Sequence, residues 1–366
     1  MSMAETQAPA NPSAQIQRLL IVRLGAMGDI VHTLPAAAAL RGAFPEAVLG
    51  WVVEERWAEL LCTLPTARAG ARSRQRPLVD HLHVVDTGKW RRAPLAFHTW
   101  IEISSVLSEL RAQKYEVAVD FQGAVRSALI ARWSGAPVIF GAVQPRENVA
   151  SMFYTRQVMV RGAHIVEQNL SLAEAVAQRR LNLPGVELPC DEAAQKRYEG
   201  RLLEEGIREF VVMNPGAGWG AKQWPAERYG EVAKQLAEDG RAVLINFGPG
   251  EDGLAAAVET ASGGAASRAQ GSLTELMALT RRARLFIGGD TGPMHLAAAL
   301  GIPVVGIFGP TNPARNGPFG TRSIVLRSPA SVTSHSRRAA PEPGLLEISV
   351  SEVVAAARQL LEGNRG

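Results

Sequence analysis

The sequence predicts an α/β protein built as two doubly wound, Rossmann-type domains in series. Three observations carry this prediction. Short apolar runs alternate with helix-length amphipathic segments, glycine-rich turns follow several of those runs, and a proline-rich stretch near the middle divides two such series. Alternation of this kind argues for βαβ units around a parallel sheet. The length of 366 residues agrees, because single cores stop growing at roughly 250 to 300 residues. An apolar fraction of 46% with 20% charged residues excludes a disordered chain, a collagen-like repeat and a coiled coil.

The first series opens with a strand at Leu19 to Val22, a turn at Gly25 to Gly28 and a helix at Ile30 to Ala43. Strand-like runs follow at Val48 to Val53, His83 to Val85, Glu116 to Asp120 and Val138 to Phe140, with a helix at Ile101 to Gln113. Between the helical stretches Val166 to Gln178 and Glu192 to Glu204 lies LNLPGVELP, whose two prolines and glycine read as a linker. The second series has strands at Glu209 to Met213, Val243 to Phe247, Leu285 to Gly288 and Val304 to Phe308. Helices are expected between them at Pro225 to Glu238, Leu254 to Thr260, Leu273 to Arg281 and Met294 to Leu300. Ser349 can cap a last amphipathic helix, Ser349 to Leu361, expected to pack back across the first domain. The expected division is a disordered tail at 1–15, a first domain at 16–180, a linker at 181–191, a second domain at 192–345 and a terminal helix within 346–366. The biased stretch RAGARSRQR, Arg68 to Arg76, has no evident role.

Cys62 and Cys190 have no partners at metal-ligand spacing, so neither a disulfide framework nor a zinc site is indicated, and a reducing cytoplasmic setting is the default. Residues 1–15 lack the basic start and apolar centre of a signal peptide. No apolar run approaches the roughly 20 residues of a membrane helix. The net charge of +4 is mild; it tolerates acidic ligands, and no nucleic-acid motif accompanies it.

Chemistry concentrates in the turns. RLGAMGDIVHTLPA places glycines between a strand and a helix, where backbone N–H groups and the helix dipole meet anions. Its Asp29 suits a helix N-cap, and equally a carboxylate that takes a proton from a hydroxyl nucleophile; the two roles are compatible. The GxGxxG fingerprint is absent, although Glu54 and Glu55 mimic its ribose-binding acid, which keeps a nicotinamide-dependent oxidoreductase as an alternative. The stronger pattern is FIGGDTGPMHLAAALGIPVVGIFGPTNP, a strand, a turn and a small-residue helix. There Thr291 and Gly292 offer a hydroxyl and N–H groups to a diphosphate, while His295 suits either a core position or a phosphate contact. NPGAGWGAK adds glycines and Lys222, suited to an anion cradle or to an exposed loop; Glu251 suits a ribose contact or a first helical turn.

Taken in order, RLGAMGDIVHTLPA, WVVEERW, DFQGAVRSAL, RENVASMFY, NPGAGWGAKQWP, FGPGED and GGDTGPMHLAAALGIPVVGIFGPTNP resemble the ADP-heptose:lipopolysaccharide heptosyltransferases from about Leu19 to Leu326. WVVEE and KWRRA are most similar to heptosyltransferase I, which adds the first heptose to Kdo. The resemblance implies a GT-B fold, two Rossmann-like domains whose parallel sheets face a central cleft, and an inverting, metal-independent transfer with no cofactor. It implies Asp29 as base and Lys222 as the group that stabilises the leaving diphosphate. Gly216, Ala217, Lys222, Glu251, Asp290, Thr291, Gly292 and His295 would hold ADP-heptose. Where some relatives carry Thr-Thr, this chain has Gly216-Ala217, so phosphate contacts there fall to backbone N–H groups.

The implied acceptor is Kdo-lipid A, anionic and membrane-borne, met by Lys89, Arg91, Arg92, Gln122, Arg126 and Arg146 with Trp90 and Trp100 nearby. Such residues pair with phosphate or carboxylate and suit the cytoplasmic face of an inner membrane, though a basic run is also commonly a solvated loop. Alternatives are another heptosyltransferase or GT-B nucleotide-sugar enzyme, the oxidoreductase, and a non-catalytic nucleotide-binding protein.

Overall fold

A computed structural model describes residues 16–64, 66–334 and 338–363, so the tail expected at 1–15 lies outside the described residues. The first half contains β1 (Arg18–Val22), α1 (Met27–Ala43), β2 (Val48–Glu54), β3 (His81–Val85), α2 (Thr87–Arg92), α3 (Phe97–Ala112), β4 (Val117–Asp120), α4 (Val125–Trp133), β5 (Val138–Ala142), β6 (Arg156–Val158) and α5 (Ile165–Ala177). The second contains α6 (Glu192–Glu204), β7 (Phe210–Asn214), α7 (Ala226–Glu238), β8 (Ala242–Asn246), α8 (Asp252–Ala261), β9 (Ala266–Ala269), α9 (Leu273–Arg282) and β10 (Leu285–Gly289). It continues through α10 (Gly292–Ala299), β11 (Val304–Ile307), α11 (Pro313–Asn316), β12 (Ser323–Leu326), α12 (Pro343–Glu347) and α13 (Val350–Glu362).

Each half forms one six-stranded sheet, in the order β3-β2-β1-β4-β5-β6 and, in the same winding, β9-β8-β7-β10-β11-β12. The pairings within both sheets are parallel. The central strands are buried on both faces, which is why Leu19–Val22, Phe210–Met213 and Leu285–Ile287 read as unbroken apolar runs. One face of the first sheet packs on α1 and α5, the other on α3 and α4. In the second sheet α7, α8 and α13 cover one face and α6, α9 and α10 the other. In both, strand order reverses beside the first strand, between β1 and β4 and between β7 and β10, so the crevices open beyond the carboxyl ends of those strands.

The terminal helix corrects an expectation. Its buried Val353, Val354, Ala357 and Leu361 join the core of the second sheet, where α13 packs on α7, and Arg358 pairs with Asp239 at 2.7 Å. Amphipathicity demands that the helix bury one face but does not name the surface that receives it. Between α5 and α6 no helix or strand forms, as Pro184, Gly185 and Pro189 lead one to expect.

The biased stretch is organised from within. Arg76 is 2% exposed, and its guanidinium donates to the carbonyls of Ala67, Gly70, Ala71 and Val79. The same stretch reaches the linker, since Arg74 O accepts the N–H of Cys190 at 2.9 Å.

The halves touch along one seam. Helices α1 and α10 lie so close that a methyl group on Gly28 would come within 2.6 Å of the His295 ring, and one on Gly292 within 2.6 Å of Met27 Sδ. Leu276, Met277 and Leu296 from the second half complete the core of the first. Glu59 accepts the N–H of Thr274 at 2.9 Å, and the His164 ring meets Gly317 O at 3.0 Å.

Candidate active site in the cleft between the sheets

On the first side, the chain leaves β1 through Arg23 and enters α1. Arg23 is buried, donates to Phe121 O beyond β4, and pairs with Asp29 Oδ1 at 2.8 Å. Asp29 is the third residue of α1, and Ala26 is the N-cap; Asp29 Oδ2 accepts the Ala26 N–H at 3.2 Å. It therefore complements the first turn, as an acid does at a helix N-terminus, without being the cap residue expected. Its side chain stays 37% exposed while Arg23 is held at 8%. The result is an oriented carboxylate that solvent or a substrate can reach.

On the second side, Asp290 follows β10 and is enclosed by two partners. Lys222 Nζ lies 2.5 Å from Asp290 Oδ2, and His295 Nε2 lies 3.0 Å from Oδ1. Burial raises the Asp290 proton affinity, but the hydrogen bond and charge of His295, together with Lys222, outweigh it and hold the carboxyl below its ordinary range. The Lys222 ammonium also sits 4.4 Å from the centre of the Trp219 ring. Thr291 caps α10 from an extended conformation, and its hydroxyl donates to Gly289 O at 3.3 Å. Glu251 accepts the Gly248 N–H at 2.8 Å, and its carboxylate lies over Gly216. The loops carrying Gly216, Ala217 and Glu251 thus meet, as expected of neighbouring strand ends in a parallel sheet.

His295 stands at the seam. It is 5% exposed, and its ring lies 4.1 Å from that of His32 on α1, which in turn meets His164 at 5.4 Å. Burial, reinforced by the neighbouring histidines, lowers the His32 pKa well below the ordinary value, and burial also lowers that of His164. Neither histidine stands out by spacing; the signal available in sequence is only that His32 lies one turn beyond Asp29. Arg23 is a second residue that sequence reasoning passed over, although it directly precedes the glycine turn.

Buried polar atoms without a hydrogen-bond partner gather in this region: Arg23 Nε, His32 Nε2, Trp57 Nε1, Gln122 Nε2, His295 Nδ1 and Thr311 Oγ1. Buried polar atoms are normally satisfied, so such a concentration at the facing strand ends marks a place built for polar ligands. Among the described residues no group of three or more His, Cys, Asp or Glu is arranged to hold a metal ion.

The six basic and amide residues expected on the acceptor side divide. Gln122 is buried and ties the β4 loop to the β1 loop, its Oε1 accepting the Leu24 N–H at 2.8 Å. Arg126 donates to Thr87 Oγ1 at 3.0 Å, and Thr87 donates to Glu54, so Glu54 is a buried anchor for α2 and is not free to bind a ribose. Lys89 is neutralised by Glu102, while Arg91, Arg92 and Arg146 are exposed. Arg146 follows β5, and its backbone packs against Gly123 at the same edge of the sheet.

Two facing Rossmann-like domains with a cleft between the carboxyl ends of their sheets define the GT-B class of fold. The model of glycosyltransferase family 9 (heptosyltransferase) matches residues 103–345. The chain is 30% identical over 324 residues to lipopolysaccharide heptosyltransferase 1 of Pseudomonas aeruginosa, covering 85% of this chain and 84% of that one. With the Escherichia coli K12 protein of the same name it shares 28% over 317 residues, 85% and 94% of the two chains. The E. coli heptosyltransferase WaaC solved with ADP superimposes with a TM-score of 0.75 at 25% identity, covering 94% of this chain and 99% of that one. The chain belongs to glycosyltransferase family 9, the heptosyltransferases. No helix among the described residues is long and apolar enough to cross a membrane.

Proposed function

We propose that this glycosyltransferase is a heptosyltransferase I: it moves heptose from ADP-heptose to Kdo of the lipopolysaccharide inner core, with inversion at the anomeric carbon. The observation that carries the proposal is the pairing, across one cleft, of the oriented Asp29 carboxylate with the Lys222–Asp290 ion pair. Its context is a chain 30% identical to lipopolysaccharide heptosyltransferase 1 of P. aeruginosa. The first domain, 16–180, takes the acceptor and the second, 192–345, the donor, with 181–191 between them.

A single displacement needs a base on the acceptor side and charge stabilisation on the donor side. Arg23 and the Ala26 N–H fix the Asp29 carboxylate, which accepts the proton of the attacking Kdo hydroxyl as the new glycosidic bond forms. The bond from the anomeric carbon to the diphosphate breaks, and ADP leaves with the electron pair. Its diphosphate competes with Asp290 for Lys222, and the N–H groups at the start of α10 supply fixed dipoles for the same charge. Gly216 and Ala217 offer backbone N–H groups, and Glu251 receives the adenosine ribose. His295 acts at one remove, holding Asp290 from the seam. No metal or cofactor takes part in this scheme.

On the acceptor side Arg91, Arg92, Arg126 and Arg146, with Lys89 and Gln122, meet the anionic groups of Kdo-lipid A, and the protein works at the cytoplasmic face of the inner membrane. Incubation with ADP-heptose and Kdo-lipid A, followed by mass analysis, tests the proposal. One added heptose is expected. Transfer only onto an already heptosylated acceptor would assign the chain to a later-acting heptosyltransferase.

A further inference from the structure

Beside the first sheet, α2, α3 and α4 line a half-open pocket of about 270 Å³. Its walls are apolar side chains at helical spacing, Ile103, Val106 and Leu107 from α3 and Leu129 and Trp133 from α4, and its mouth carries Arg91 and Arg126. Thr87 also lines it, and through Thr87 the cavity is joined to Glu54 at the end of β2 and so to the cleft. Next to the mouth the chain exposes Leu95 at 92%, Phe97 at 81% and Trp100 at 57%, an apolar surface bordered by the exposed Arg92.

We propose that this cavity is a binding site for one acyl chain of an anionic lipid, whose phosphate is met by Arg91 and Arg126 at the mouth. A mainly apolar lining beside two guanidinium groups fits a chain with an anionic head, and favours it over a zwitterionic head, whose cation offsets the phosphate. The exposed Leu95, Phe97 and Trp100 are placed to enter the bilayer interface from which the chain is drawn. The occupant is an acyl chain of the lipid acceptor, so this inference rests on the reading of the acceptor as a phosphorylated lipid. The site is distinct from the cleft that holds the reacting sugars.

The experiment is a chain-length ladder: titration of the full-length protein with butyl, hexyl, octyl and decyl phosphate below their critical micelle concentrations, followed by calorimetry. Affinity is expected to rise by up to about fourfold per added methylene and then to level off when the cavity is full. Decyl phosphocholine should bind at least tenfold more weakly than decyl phosphate. Val106→Trp, which fills the cavity from α3, should flatten the ladder, and Leu129→Phe should shorten it from the α4 side. Both positions are only partly buried. An unchanged circular dichroism spectrum and a single cooperative melt close to that of the parent protein certify that each variant is folded.

A ladder independent of chain length, or one unchanged in both variants, would overturn the proposal. No sugar is transferred in this assay. Failure of heptose transfer with an intact ladder would therefore strike the proposed activity and leave the cavity standing.

Discussion

Two aspartates stand at the carboxyl ends of corresponding strands and live under opposite electrostatics. Asp120 ends β4 and Asp290 follows β10, the fourth strand of each winding, and both are buried. Asp120 has only neutral partners: it accepts from Tyr154 Oη at 2.8 Å, Ser127 Oγ at 3.0 Å and the N–H groups of Gln122 and Gly123. Burial prevails over these bonds, and its pKa is raised. Asp290 has Lys222 and His295, and its pKa is lowered. The fold supplies the position, and the partners decide whether it braces a loop or anchors a cation. In the first half the reachable acid has shifted one loop away, to Asp29.

The largest effect expected is at that shifted acid. Asp29→Asn should lower kcat about 10²- to 10⁴-fold while ADP affinity, measured by calorimetry, stays put; near-normal turnover would remove Asp29 as the base. Next, Lys222→Ala should cost about 10²- to 10³-fold in kcat with ADP-heptose, and unchanged kinetics would contradict its role at the leaving diphosphate. The comparison itself is tested by the pair Asp290→Asn and Asp120→Asn. The first should reduce transfer. The second should leave kcat within a few-fold but reduce stability by about 1 to 3 kcal/mol in denaturant melts, because Asn cannot accept all four hydrogen bonds.

A smaller effect comes with acid. His32 is neutral in the fold because its pKa is depressed, whereas in the unfolded chain it takes a proton near pH 6.5. Its contribution is therefore present above that pH and is lost as pH falls below it, since the unfolded chain then binds the proton that the fold refuses. Thermal melts from pH 7.5 to 5.5 should show the loss, and His32→Asn should reduce its slope. EDTA is expected to change the transfer rate least of all; loss restored by Mg²⁺ would overturn the metal-free scheme.

The architecture was legible because buried parallel strands leave apolar runs and their turns leave glycines. Both β1 and β10 stand within a residue of their expected limits. The edge strands β6 and β9 escaped, being three or four residues long and polar, as in RQV and ASRA, where pairing and not pattern makes the strand; β12, SIVL, escaped because it is only four residues long. The α4 helix escaped as well, its start hidden in DFQGAVRSAL. Around the cleft, Asp29, Lys222 and Asp290 announced themselves by standing beside glycine turns. Arg23, His32 and His164 did not, because their significance lies in contacts across 100 residues or between halves, which no local pattern encodes.

The close packing of Gly28 on His295 and of Gly292 on Met27 fixes how near the two halves can come. A side chain at either glycine would have to push His295 or Met27 aside, and would part α1 from α10 at the seam. Asp29 stands one residue after Gly28 and Asp290 two residues before Gly292, so the two acids would be displaced with those helix starts. Two missing methyl groups thus set the distance between the halves at the point where their acids stand.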